Sequence, residues 1–114
     1  MRRILTASVA TAAVLAAALP AAAATTPTYK GTVGPGFTIS LAKKPTKAGT
    51  VKFTISDKSS IHNFRLIGGG AKLNTGVGAT GTKTYTVTLK KGTTYRFVCD
   101  PHAISMKGSF KTAS

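Results

Sequence analysis

Few side chains in this 114-residue chain can do chemistry: two His, one Cys, two Met and the acids Asp57 and Asp100, with no Glu at all. Paired-carboxylate catalysis has almost no candidates in such a chain, and a two-metal hydrolase lacks its bridging acids. Cys99 has no partner for a disulfide. The remaining donors are grouped. Cys99-Asp100-Pro101-His102-Ala103-Ile104-Ser105-Met106 places a thiolate, an imidazole and a thioether within eight residues, and His62 lies upstream. Two imidazoles and a thiolate with a weak axial thioether form the donor set of a copper electron-transfer centre. Taken singly, His62 reads as a core histidine and Cys99 as a small buried hydrophobe. The combination carries the weight, because it absorbs every His and Cys in the chain. A hydrolytic Ser59–His62–Asp57 arrangement is disfavoured, since those residues crowd a single turn and strand start.

These donors must be positioned by strands. Phe37, Ile39 and Leu41 alternate with polar residues, as do Val51, Phe53 and Ile55, then His62, Phe64 and Leu66. Tyr85, Val87 and Leu89 face one way while Thr82, Thr84, Thr86 and Thr88 face the other, and Lys90-Lys91-Gly92 reads as a hairpin turn into Tyr95, Phe97 and Cys99. Phe110 anchors a last short strand. Thr25–Thr28 reads as a flexible lead-in, Gly34-Pro35-Gly36 as a turn, and Ala71–Gly81 as an aperiodic loop. The pattern predicts an all-β, Greek-key β-sandwich or barrel of about seven to eight strands. His62 and Cys99 are each in phase with apolar neighbours, so both are expected to point inward. Asp57 and Asp100 read as turn residues whose carboxylates accept from nearby backbone N–H groups.

The N-terminus has a different character. Met1-Arg2-Arg3, an uncharged run from Ile4 to Leu19, and Pro20 before Ala21–Ala24 follow the order of a secretory signal peptide. The run is short of the roughly 20 apolar residues of a spanning helix. We expect residues 1–24 to be cleaved after Ala23 or Ala24, by the Sec rather than the twin-arginine route. That leaves one domain, 25–114, and an exported protein of the periplasm, cell envelope or exterior without a stable membrane anchor. Its formal charge is +12, from 14 Lys and Arg against 2 Asp.

Several stretches together resemble the cupredoxins, and in particular small plastocyanin-like proteins, over nearly all of residues 25–114. Gly34-Pro35-Gly36-Phe37 with its following strands resembles their opening, and Asp57–Phe64 the segment of their first His. Tyr95-Arg96-Phe97-Val98-Cys99-Asp100-Pro101-His102 resembles their ligand loop, and Met106-Lys107-Gly108 the run into their final strand. The resemblance implies one copper ion, cycling between Cu(I) and Cu(II), held by His62, Cys99 and His102 with Met106 axial. It implies that Asn63 bonds to the Cys-bearing loop and that Pro101, Ala103 and Ile104 form an apolar rim beside an exposed His102. The three-residue gap between His102 and Met106 is intermediate between those of plastocyanins and amicyanin-like proteins.

The function expected is that of a monomeric one-electron carrier, not an enzyme, working between redox partner proteins. A copper-holding or delivery protein without redox cycling uses the same ligands. Nucleic-acid binding is not expected, because the lysines look scattered and no recognition motif is present. The positive charge instead suits docking to acidic redox partners or to an anionic envelope surface.

Overall fold

A computed structural model describes residues 25–114; the leader and its cleavage point lie outside the described residues. Seven strands form two sheets. The first has β1 (Thr28–Val33), β2 (Ile39–Leu41), β3 (Gly49–Asp57) and β5 (Gly81–Leu89) in the order β2-β1-β3-β5. The second has β4 (Arg65–Ile67), β6 (Thr94–Val98) and β7 (Lys107–Lys111) in the order β4-β6-β7. The only helical piece among the described residues is a 3₁₀ turn, Asp100–His102.

Alternation explains the layering. In β3 and β5 the registers Val51↔Val87 and Phe53↔Tyr85 put apolar residues on the inner face. On the outer face, Thr50 meets Thr88 and Thr54 meets Thr84 through hydroxyl contacts of 3.4 and 3.0 Å. The second sheet contributes Leu66, Tyr95, Phe97 and Phe110 to the same core. There Phe64 stacks on Phe97 with centroids 5.5 Å apart and planes 3° from parallel, and Tyr95 stacks on Phe110 at 5.2 Å. Gly108 stands directly opposite Phe97 in the β6–β7 ladder. A Cβ at position 108 would collide with the Phe97 ring, so the ring occupies the space a side chain would take.

Three sequence expectations change. Thr25–Thr28 is not wholly a lead-in: β1 begins at Thr28 and pairs with β3 in parallel, Thr28↔Lys52 through Val33↔Asp57. The inward-facing Gly31 has no side chain to show the alternation, which hid this strand. Phe37 is not a core residue but is 63% exposed, because the Gly34–Gly36 turn holds it outside β2. Lys90-Lys91-Gly92 does not close a hairpin, since β5 and β6 lie in different sheets and the turn crosses between them. The Lys90 N–H donates to the Tyr95 hydroxyl at 2.8 Å across that crossing, a tie of the tyrosine-corner kind.

The topology gives the sandwich two unlike poles. β1, β3 and β6 end at one pole, where β5 and β7 begin. At the other, the 43–48 loop, the 90–93 turn and the C-terminus are joined by Ala113 N–H to Thr46 O at 2.9 Å and Gly92 N–H to Ala113 O at 3.0 Å. The lysines are accordingly less scattered than their sequence positions suggest.

Candidate metal centre

Two strand ends deliver the reactive side chains to the first pole. Cys99 follows β6 directly, and His102 closes the 3₁₀ turn that Asp100 opens and Pro101 continues. His62 lies between β3 and β4, before the β4 ladder begins at Arg65, so it sits in a connection and not in a strand. It nevertheless points inward as expected: His62 and Cys99 are both 0% exposed. His102 is half-buried.

The three donor atoms form a nearly equilateral triangle. His62 Nδ1 is 3.2 Å from His102 Nδ1, and Cys99 Sγ is 3.6 Å from the former and 3.5 Å from the latter. A point equidistant from all three lies about 2 Å from each, the length of a metal–imidazole bond and slightly under that of a metal–thiolate bond. The His62 Nε2–H donates to Gly36 O at 3.0 Å. That bond places the proton on Nε2 and leaves the Nδ1 lone pair aimed into the triangle. Two nitrogens and a sulfur converging on one point form an arrangement that a cation satisfies and that uncharged groups satisfy poorly.

A model of the plastocyanin/azurin family of copper-binding proteins matches residues 16–112. The chain belongs to that family. No curated protein sequence matches it. The cupredoxin fold and its copper chemistry, expected from the sequence, thus meet a single His62–Cys99–His102 cluster among the described residues, suited to one type 1 copper ion.

The rest of the cupredoxin loop is fixed by its backbone. The Cys99 N–H donates to Met106 O at 3.0 Å, and the His102 and Met106 N–H groups donate to Cys99 O and His102 O at 3.0 and 2.8 Å. Met106 is 0% exposed and pinned beside Cys99 just before β7. Pro101 and Ile104 are exposed, Ile104 at 93%, and Ala103 is half-buried.

Asn63 is 1% exposed. Its carbonyl oxygen accepts from Asp100 N–H at 2.7 Å, while its amide donates to Asp100 Oδ2 at 2.7 Å and to Asn74 Oδ1 at 3.1 Å. The Asp100 carboxylate also meets Arg65, whose Nε and Nη2 lie 3.0 and 2.8 Å from Oδ1. This differs from the expectation for Asp100, because its carboxylate takes side-chain partners across the fold and no nearby backbone N–H. Asp57 follows expectation at one oxygen, which accepts from Ser59 N–H at 3.1 Å, and takes the Thr75 hydroxyl at the other at 3.4 Å. Asn63→Ala removes two bonds to the Cys99–Asp100 loop and one to Asn74, and is expected to cost about 2 kcal/mol of stability, read as a lower Tm of the copper-free protein. A Tm unchanged by that substitution would remove Asn63 from the clamp.

Two residues of this pole are invisible to sequence reasoning. The Phe37 ring meets both histidines edge-on, with centroids 5.4 Å from His62 and 4.9 Å from His102. Gly34 has φ +72°, and a Cβ there would lie 3.1 Å from the His62 ring. An aromatic directly after Gly-Pro-Gly is the only trace either leaves in the sequence.

Proposed function

We propose that this cupredoxin is an exported one-electron carrier in which His62, Cys99 and His102 bind copper equatorially and Met106 axially. The observation that carries the reading is the triangle of Nδ1, Nδ1 and Sγ, whose size suits one ion. Copper supplies the Cu(I)/Cu(II) couple; the chain supplies everything that makes the couple usable. Gly36 O fixes the tautomer of His62, and the Asn63–Asp100–Arg65 bonds hold the Cys99 loop against β4. A site so preorganised rearranges little when an electron arrives or leaves, which favours fast exchange. The chain's donors are used up by one ion, which supports a carrier over an enzyme.

The half-buried His102 edge, ringed by Pro101, Ala103 and Ile104, is the shortest way from the ligands to a partner. Ile104→Lys is expected to slow electron self-exchange about 10-fold, because two like charges meet when the patches of two molecules face each other. The visible spectrum should stay as it was. A self-exchange rate unchanged by the lysine would move the exit elsewhere.

The reading is tested by adding Cu(II) to the purified protein. An intense thiolate-to-copper visible band with a reversible voltammetric couple is the expected result. A colourless protein that binds Cu(I) alone would assign it to copper holding and delivery instead.

A further inference from the structure

The lysines divide unevenly between the poles. Lys43, Lys44, Lys47, Lys90, Lys91 and Lys111 all belong to the 43–48 loop, the 90–93 turn and the end of β7, which the Ala113–Thr46 and Gly92–Ala113 hydrogen bonds gather into one surface. All six side chains are exposed. No acidic side chain accompanies them: Asp57 is 4% exposed at the end of β3, and Asp100 is engaged by Arg65, both at the copper pole. Half of the 12 lysines of residues 25–114 therefore form a cationic cap at the pole opposite the ligands.

Steering of an acidic redox partner to the copper would place the lysines around His102. At the copper pole the exposed lysines are fewer, Lys58 after β3, Lys83 early in β5 and Lys107 at the start of β7, and the exposed neighbours of His102 include the uncharged Phe37, Pro101 and Ile104. The cap has another neighbour. The chain enters β1 from this same end, where Lys52 N–H donates to Pro27 O at 2.8 Å.

We infer that the lysine cap is a peripheral docking surface for an anionic phospholipid bilayer, holding the domain with its copper pole turned away from the membrane and free to meet partners. The inference rests on the export reading for the presence of a membrane, but not on copper. Each lysine near an anionic bilayer adds to the attraction, and because all are exposed, the binding is reversible and screened by salt.

The test compares two variants of equal net charge by co-sedimentation with vesicles. In one, the six cap lysines become Gln; in the other, Lys30, Lys52, Lys58, Lys72, Lys83 and Lys107 do. The wild type is expected to bind vesicles of phosphatidylcholine with about one-third phosphatidylglycerol, and not pure phosphatidylcholine, with binding lost as salt is raised to about 0.5 M. The cap variant should bind about 100-fold more weakly or worse, and the other variant within a few-fold of wild type. Equal losses in the two variants would reduce the effect to net charge and overturn the inference, as would failure of the wild type to bind anionic vesicles. Circular dichroism checks folding. If a sixfold variant does not fold, Lys90→Gln with Lys91→Gln against Lys58→Gln with Lys72→Gln asks the same question, with about 10-fold weakening expected in the first pair alone. The visible band of the copper-loaded cap variant should match wild type, which separates failure of this inference from failure of the copper assignment.

Discussion

Cys99→Ser is expected to abolish the intense visible absorption of the copper-loaded protein altogether. The absorption requires electron donation from a sulfur anion, and a serine hydroxyl is neither ionised near pH 7 nor a soft donor. Copper affinity should fall by more than about 100-fold, beyond the effect of disturbing an outer hydrogen bond. The copper-free fold should barely notice, with a change within about 1 kcal/mol, because Cys99 is a small, fully buried side chain replaced by one of similar size. Met106→Leu makes the contrast: with Met106 as the proposed weak donor, its loss is expected to shift the potential while the band persists. Persistence of the band in Cys99→Ser would remove the thiolate from the site.

The largest expected loss of stability comes from a residue with no chemistry. Gly108→Ala drives a methyl into the Phe97 ring. The ring cannot swing aside, because it is 2% exposed and stacked on Phe64. Overpacking of this kind is expected to cost about 3 kcal/mol, near the top of the usual range, which lowers the Tm of a domain this size by about 12–24 °C. Adding Phe97→Leu should recover part of the loss, since the two side chains compete for one space and their effects do not add. A thermal melt of Gly108→Ala within a few degrees of wild type would mean that the ladder can spread to admit the methyl group.

Both substitutions show what the sequence reveals and what it conceals. The ligands were legible because their residue types are rare in this chain and lie at the ends of alternating runs, so Cys99 and His62 announced their inward direction. The sandwich was legible for the same reason in β3, β5 and β6. β1 was not, because the inward position at Gly31 carries no side chain for a pattern to show. Phe37 misled, since alternation with Ile39 and Leu41 continues smoothly through a turn that turns its ring out of the core and onto the histidines. The Lys90–Gly92 turn has hairpin chemistry but a crossover's role, and only the sheet order distinguishes the two. Asp100 reads as a turn residue locally; its bond to Arg65 spans 35 positions, and no local rule anticipates it. The lysine cap is likewise a product of topology, assembled from three stretches that are remote in sequence.

The placement of His62 has a consequence for assembly. Its ring is held by Gly36 from the connection between two strands of the first sheet, while Cys99, His102 and Met106 all hang from the second. Neither sheet alone owns the triangle, whose His62 corner lies 37 residues before Cys99 and 40 before His102. The ion would therefore act as a stitch between the layers, gripping only chains whose sheets have already docked, so that occupancy reports completed folding. Loss of the seam and loss of the metal become one event, which mass action links to the concentration of free copper.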